Sequence, residues 1–412
     1  MLKKGVISFF EYLLMLMIIL EFNTPYLEFP TIGKLITLFI IISIFILVLF
    51  YWRNLSKETF AFIFLVLLGA LFPLLNVYEG TIFTFVKLYF VILPLLLLLL
   101  LSYGNSLERN VKGLLNKFSD IVLVIALFSL FFWFFGSLLS IISSTMLIPN
   151  SWAGERLIAT YYGLYFETQG IVASSGGEEI IRNTGIFNEA PMYNMILCTS
   201  LAIEMFQKQK RKMYIFIIAF TIITTISTTG YIFLFVLLSF KSFNYFGGKY
   251  KLQSTLIFPI ILLISSIIMS GIIDNKKETA EGSYNYRSID IVKCIEVGIE
   301  HPITGVGIMY KAAYAESNFF GFSNSLFGVF AHGGFYFLLL YLFPFLVVPL
   351  ILLLKNKKSS IGGILLSYFG VFSFTVSEYK VLTIFMLSCS LSYWYFVVFK
   401  NKDISPVKTG RV

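Results

Sequence analysis

Charge is what this chain has least of. Asp, Glu, Lys and Arg make up only 13% of its 412 residues, about half the share usual in a soluble domain. Cysteine is almost as scarce: of three, Cys198 and Cys389 fall inside apolar runs and only Cys294 is placed in a loop. Such usage argues against a disulfide framework. Histidine is limited to His301 and His332, and neither has a neighbour at metal-ligand spacing. Long alternating apolar and polar stretches are also missing, so the chain does not read as a membrane barrel. No small-x-small cleavage site follows the first apolar run, which ends in EFNTPYLEFP. The expectation is a retained first span rather than a signal peptide.

What is present is apolar mass. Hydrophobic residues form 58% of the chain, with 46 Phe and 24 Tyr. Many runs reach the roughly 20 helical residues needed to cross about 30 Å of hydrocarbon. The sequence therefore predicts an all-α polytopic membrane protein, a single membrane domain over residues 1–412. About twelve spans are expected, at 5–20, 34–51, 60–77, 82–102, 120–143, 190–206, 213–228, 230–240, 253–272, 325–354, 360–377 and 381–399. The eighth is short for a crossing, and the tenth is broken by Gly333–Gly334 and kinked by Pro344 and Pro349.

A net charge of +9 is of the sign that nucleic acid attracts, but the basic residues sit in short clusters between apolar runs. With the N-terminus inside, 21 of the 31 Lys and Arg fall on the cytoplasmic side, and about 16 of the 22 acidic residues fall outside. That is the positive-inside pattern, and it places both termini in the cytoplasm. Two long segments, 144–189 and 273–322, then lie outside. Loops of that length usually carry function, and their aromatic and apolar content predicts short helices folded over the membrane face.

The external loops gather the reactive residues. The first ends in EEIIRNTGIFNEAPMYN (178–194), where Arg182 offers a planar fork suited to phosphate or carboxylate. Its plain alternative is an ion pair with Glu178, Glu179 or Glu189. Glu189 precedes Ala190-Pro191 at the start of a span, where a helix dipole favours a carboxylate; it reads either as a helix-start residue or as a general base. Arg287 opens a helix in the second loop with an apolar stripe of Ile289, Val292, Ile295 and Ile299. An arginine in each loop suggests a two-handed anion site. Lys87 lies about 9 Å inside its span, shallow enough either to snorkel or to assist. Glu11 and Glu204 are weaker candidates. His301 sits in a turn, and His332 either packs beside Gly333-Gly334 or acts as a base.

Four stretches, in order, resemble the Wzy-type polysaccharide polymerase and O-antigen ligase family: RNTGIFNEAPMYN (182–194), the Ser-x-Thr-Gly element of STTGYIFLF (227–235), HPITGVG (301–307) preceded by Arg287, and SNSLFGVFAHGGFYFLLLY (323–341). The likeness spans essentially the whole chain. Two departures stand out: Ser227-Thr228-Thr229-Gly230 where many members have Ser-Arg, and Ser323-Asn324 where ligases of the family typically show His-Asn. The missing histidine favours polymerase over ligase. The resemblance implies a metal-independent transfer of a glycan from undecaprenyl diphosphate to a sugar hydroxyl of a second lipid-linked repeat unit, with no cofactor. It implies Arg182 and Arg287 on the diphosphate and Glu189 as base, with Lys87, Asn188, Tyr193, Ser323 and Asn324 contacting substrate. Expected partners are membrane lipid, a chain-length regulator and a flippase, but no nucleic acid. The rival readings are a ligase, a flippase of the same lipid-linked sugars, and a structural scaffold. A flippase is expected to place polar residues at the midplane and to show internal repeats, and the sequence shows neither.

Overall fold

The computed structural model describes residues 2–77, 81–151, 155–169, 171–173, 179–207, 211–246, 281–308, 324–355 and 359–398. Helices dominate. They are α1 (Leu2–Glu21), α2 (Pro30–Tyr51), α3 (Lys57–Leu74), α4 (Ile82–Ser102), α5 (Leu107–Phe132, running on to Leu138), α6 (Ala190–Phe206), α7 (Lys212–Thr224), α8 (Thr228–Phe246), α9 (Glu281–Glu300), α10 (Ser325–Lys355), α11 (Ser360–Ser373) and α12 (Val381–Val398). Each expected apolar segment except 253–272 falls on one of them, and 253–272 lies outside the described residues. Among the described residues, six stretches are long and apolar enough to cross a membrane: Pro30–Asn54, Lys57–Leu74, Ile82–Ser102, Gly104–Leu138, Ser325–Lys355 and Val381–Val398. This is the architecture of a helical membrane protein.

The chain alternates between two ends of the bundle. One end carries the short basic connections and the other the two long loops, and these are called the basic end and the loop end below. The helices pack through one extensive apolar core that includes Leu96, Leu97, Ile196, Leu197, Phe385 and Tyr368. Helix α12 is the most enclosed of the six apolar stretches, with 83% of its apolar window buried, so it is a central post rather than a lipid-facing helix. By contrast, α2 and α3 expose Leu35, Leu49, Phe64 and Leu65, the outward apolar surface expected where lipid replaces water.

Buried charges at the basic end neutralise one another. Arg211 pairs with both Glu204 and Asp120, and Glu204 is only 2% exposed. Ser119 donates to Glu204 at 2.6 Å, and Lys117 pairs with Glu11 at 3.0 Å. The two carboxylates considered above as weak functional candidates are thus held in ion pairs.

The expectation of short helices in the first long loop is corrected by the structure. The described residues between Met146 and Ile181 include two small antiparallel sheets. In the first, β1 (Met146–Asn150), β2 (Arg156–Tyr161) and β3 (Tyr165–Phe166) pair in sequence order. In the second, β4 (Ile171–Ala173) pairs with β5 (Glu179–Ile181). The reason is local. Tyr162 and Gly163 both take positive φ, at 53° and 68°, which matches the twist of a tight hairpin. The aromatic side chains of Tyr161 and Tyr165 then bury against Phe132 at the end of α5. In the second long loop, the described part is one 20-residue helix, α9, followed by the HPITGVG turn, rather than several short helices.

Candidate functional site

The RNTGIFNEAPMYN segment is pinned at the loop end by its own backbone and side chains. Asn183 N–H donates to the Thr224 carbonyl at 3.2 Å, and its Nδ2 donates to Thr224 Oγ1 at 3.0 Å, so the segment caps the end of α7. Thr184 Oγ1 donates to the Phe166 carbonyl and Thr168 Oγ1 to that of Phe187, which ties the segment to the sheet. Gly185 has φ of 57° and sits flat against the Tyr193 ring; a Cβ there would stand 2.8 Å from it. The turn from loop to α6 therefore requires glycine.

Arg182 is half-buried in this arrangement. Its Nη2 donates to the Ile226 carbonyl at 2.6 Å and its Nη1 to Gln169 Oε1 at 3.3 Å. Ile226 has a φ of 47°, an uncommon conformation for a β-branched residue, and its carbonyl is aimed at the guanidinium. The same Gln169 oxygen accepts from Ala190 N–H at 3.0 Å. Glu189, half-buried, occupies the cap position of α6 immediately before that amide. Gln169, which sequence reading did not single out, thus joins the Arg182 guanidinium to the backbone amide that follows Glu189.

The four motif segments meet in pairs. In the first pair, Arg182 bonds the Ile226 carbonyl just before the Ser-x-Thr-Gly element, and Gly230 packs so closely on Asn194 that a Cβ would lie 2.6 Å from its Oδ1. In the second, HPITGVG docks onto the break in α10. Val306 and Gly307 donate to the carbonyls of Ala331 and His332 at 3.0 and 3.1 Å, and Phe335 donates back to Pro302 at 2.7 Å. Gly333 and Gly334 leave helical geometry there, Gly334 with φ of 62°.

The connection between α11 and α12 completes the loop end. Residues 375–380 read TVSEYK. Ser325, the first residue of α10, donates from Oγ to the Thr375 carbonyl at 2.5 Å and accepts from Ser377 N–H at 2.7 Å. Tyr379 OH lies 2.9 Å from His332 Nδ1, and Tyr341 OH donates to the Glu378 carbonyl at 2.7 Å. Glu378 itself is 3% exposed. Burial pushes its pKa up to about 7, against the opposing pull of its own backbone amide, the Ser325 hydroxyl and Lys380. Glu21, at the end of α1, accepts from Val381 N–H at 3.0 Å. Burial raises its pKa as well, while Lys380 and Lys87 favour its charged form. Lys87 therefore faces a carboxylate at this end. A backbone bond from Asn188 N–H to the Asn23 carbonyl, 3.0 Å, links this group to the Glu189 side of the site.

Other expected residues fall differently. Asn188 is buried and accepts from Asn150 Nδ2 at 2.8 Å, while Tyr193 is fully buried, stacks on Phe187 and shares a 2.8 Å hydrogen bond with Ser129. Both are engaged by the protein itself. Asn324 is 3% exposed and caps α10 by accepting from Phe327 N–H at 2.9 Å. Arg287 lies on α9, its side chain outside the described residues, and Ser323 is outside them altogether. The stripe on α9 faces outward, with Ile289, Val292 and Ile299 at 48%, 53% and 64% exposure, while Asp290 and Cys294 turn inward.

Glu21, Gln169, Asp290, Glu378 and Lys380 are the polar residues of this end that sequence reasoning passed over. The signal available for Glu378 and Lys380 was a carboxylate and a lysine two residues apart, in a connection only a few residues long between two apolar runs. Comparison with family models, characterised proteins and solved structures gives no match to this chain.

Proposed function

We propose that this chain polymerises lipid-diphosphate-linked oligosaccharide repeat units at the outer face of a bacterial cytoplasmic membrane, in capsule, exopolysaccharide or O-antigen synthesis. The observation that carries the reading is the Arg182–Gln169–Ala190 junction. It ties the Arg182 guanidinium, through Gln169 Oε1, to the first backbone amide of α6, the one that follows Glu189. On this reading twelve spans cross the membrane, both termini are cytoplasmic and the loop end is external, as the distribution of basic residues requires.

A lipid diphosphate fits such a place. Its tail lies among helices, its charge sits at the level of Arg182, and its sugars extend into the loops. The transition state develops positive charge at the anomeric carbon, by analogy with glycosidases, and negative charge on the departing diphosphate. Arg182 and Arg287, helped by Lys87, neutralise that leaving group. Diphosphate departs unprotonated, so the chain needs only a carboxylate to take the proton of the acceptor hydroxyl, and Glu189 is the one that shares a motif with Arg182. The donor and acceptor are both membrane-borne, with a flippase upstream and a chain-length regulator alongside as partners.

A flippase is the second reading to separate. Against it, the buried charges at the basic end are spent on one another, and the other buried carboxylates among the described residues, Glu21, Asp290 and Glu378, lie toward the loop end. The test is reconstitution of the purified chain in liposomes with a lipid-diphosphate oligosaccharide. A ladder of longer lipid-linked products supports polymerisation; transbilayer movement of single units without lengthening points to the flippase.

A further inference from the structure

The loop end holds a second carboxylate that the Arg182 site does not use. Glu378 is enclosed by four elements. Ser325 at the start of α10 is bonded to the same connection, donating to the Thr375 carbonyl and accepting from Ser377 N–H, and Lys380 follows Glu378 in it. Cys294 on α9, beside Asp290, faces it, as do Tyr89 on α4 and Tyr341 on α10. Yet Glu378 Oε2 is fully buried and finds no hydrogen-bond partner among the described residues. One residue before Ser325, Asn324 Nδ2 is likewise buried and without a partner among them. Buried polar atoms are nearly always satisfied, and exceptions call for an explanation such as a missing ligand.

An acceptor and a donor left open in one polar cluster match a hydroxyl group, which gives one hydrogen bond and takes another. A sugar hydroxyl is that group. We propose that Glu378, with Asn324 next to the Ser325 that bonds its connection, binds the acceptor hydroxyl and takes its proton. The assignment rests on the polymerase reading and moves the base from Glu189 to Glu378. The acceptor oxygen bonds to the anomeric carbon of the donor as its proton passes to Glu378 Oε2. The bond from that carbon to the diphosphate oxygen breaks, and the electron pair leaves with the lipid diphosphate. Glu378 then returns the proton to water.

Two observations favour Glu378 over Glu189 in this role. Glu189 stands at the cap position of α6, where the helix dipole stabilises the charged carboxylate. Glu378 is buried and its proton affinity is raised into the range where a base works best near neutral pH.

The experiment compares pH–rate profiles of liposome-reconstituted wild type, Glu378→Gln, Glu378→Asp and Glu189→Gln, using a lipid-diphosphate oligosaccharide as donor and acceptor and normalising to folded protein. The wild-type rate rises with pH through about 7. Glu378→Gln is expected to elongate at least ~100-fold more slowly and to lose that rise. Glu378→Asp keeps it at a lower rate, and Glu189→Gln keeps it too. Asn324→Ala, which leaves the carboxylate in place, raises the acceptor KM. A Glu378→Gln variant that retains the wild-type rise, or a Glu189→Gln variant that alone abolishes it, overturns the assignment. A wild-type protein that elongates nothing overturns the polymerase reading and this assignment with it.

Discussion

Gly305 and His332 are locked together by their backbones. A Cβ on Gly305 would stand 2.3 Å from the carbonyl carbon of His332, and Gly305 holds a φ of 64° that other residues adopt only with strain. The HPITGVG turn and the break in α10 are therefore one structural unit, and the position of His332 and Tyr379 depends on it. Gly305→Ala is expected to cost about 3 kcal/mol or more, from backbone strain and overpacking combined. Gly163→Ala is the control. Its φ is 68° but nothing lies within 4 Å of the added carbon, so only the strain of ~1 kcal/mol remains. Apparent melting temperatures in detergent should rank wild type, Gly163→Ala and Gly305→Ala in falling order. Equal values for the two variants would dissolve the unit.

Tyr193 offers a test of what is structural. Its hydroxyl meets Ser129 in a fully buried position, and Ser129 also donates to the Ala126 carbonyl at 2.9 Å. Tyr193→Phe should thus lose about 1 kcal/mol of stability and leave elongation near wild type. A tenfold loss of activity at unchanged melting temperature would put the phenol in contact with substrate.

Glu378 also makes stability depend on pH in a set direction. Its folded-state pKa of about 7 lies above the ordinary 4.5, so between those values the folded chain holds a proton that the unfolded chain releases. Stability is then fully present below about pH 4.5 and falls as pH rises toward 7 and beyond, by on the order of 3 kcal/mol in all. Glu378→Gln removes this slope and should melt higher than wild type at pH 8. A variant that melts lower at pH 8 and keeps the slope would show that the carboxylate is charged in the folded state across that window.

Arg182→Lys keeps the charge but loses the fork. A single ammonium cannot reproduce the geometry that meets both the Ile226 carbonyl and Gln169. Elongation should fall on the order of 100-fold, comparable to removing one charge-stabilising donor from an active site. Polymer lengths equal to wild type in this variant would end the role of Arg182 as a clamp.

Much of the fold was legible because lipid makes a simple demand. Apolar length predicts helices, and 190–206 and 82–102 coincide with α6 and α4 residue for residue. The break at Gly333-Gly334 was also readable, since two glycines interrupt an apolar run. The β hairpin was not, because its signal is confined to Tyr162-Gly163 and to Tyr161 and Tyr165 burying on Phe132, a contact that chain order does not announce. At the site, Arg182 and Glu189 share one motif and were visible together. Gln169 lies 13 residues before Arg182 in an unremarkable stretch, and the Glu378 connection meets Ser325 through Thr375, 50 residues further along the chain. Only the packing of α10 against the α11–α12 connection reveals that pairing. The α9 stripe was seen correctly as apolar, but its polar side faces the protein: Asp290 and Cys294 are inside and Ile299 is out.

The most direct measurement is the length and sidedness of lipid-linked glycans in cells lacking this protein. Polymerisation predicts single repeat units accumulating on the outer face of the membrane, because flipping proceeds and joining fails. Single units trapped on the inner face, or long polymers stranded on the lipid, would contradict it, the first in favour of a flippase and the second in favour of a ligase.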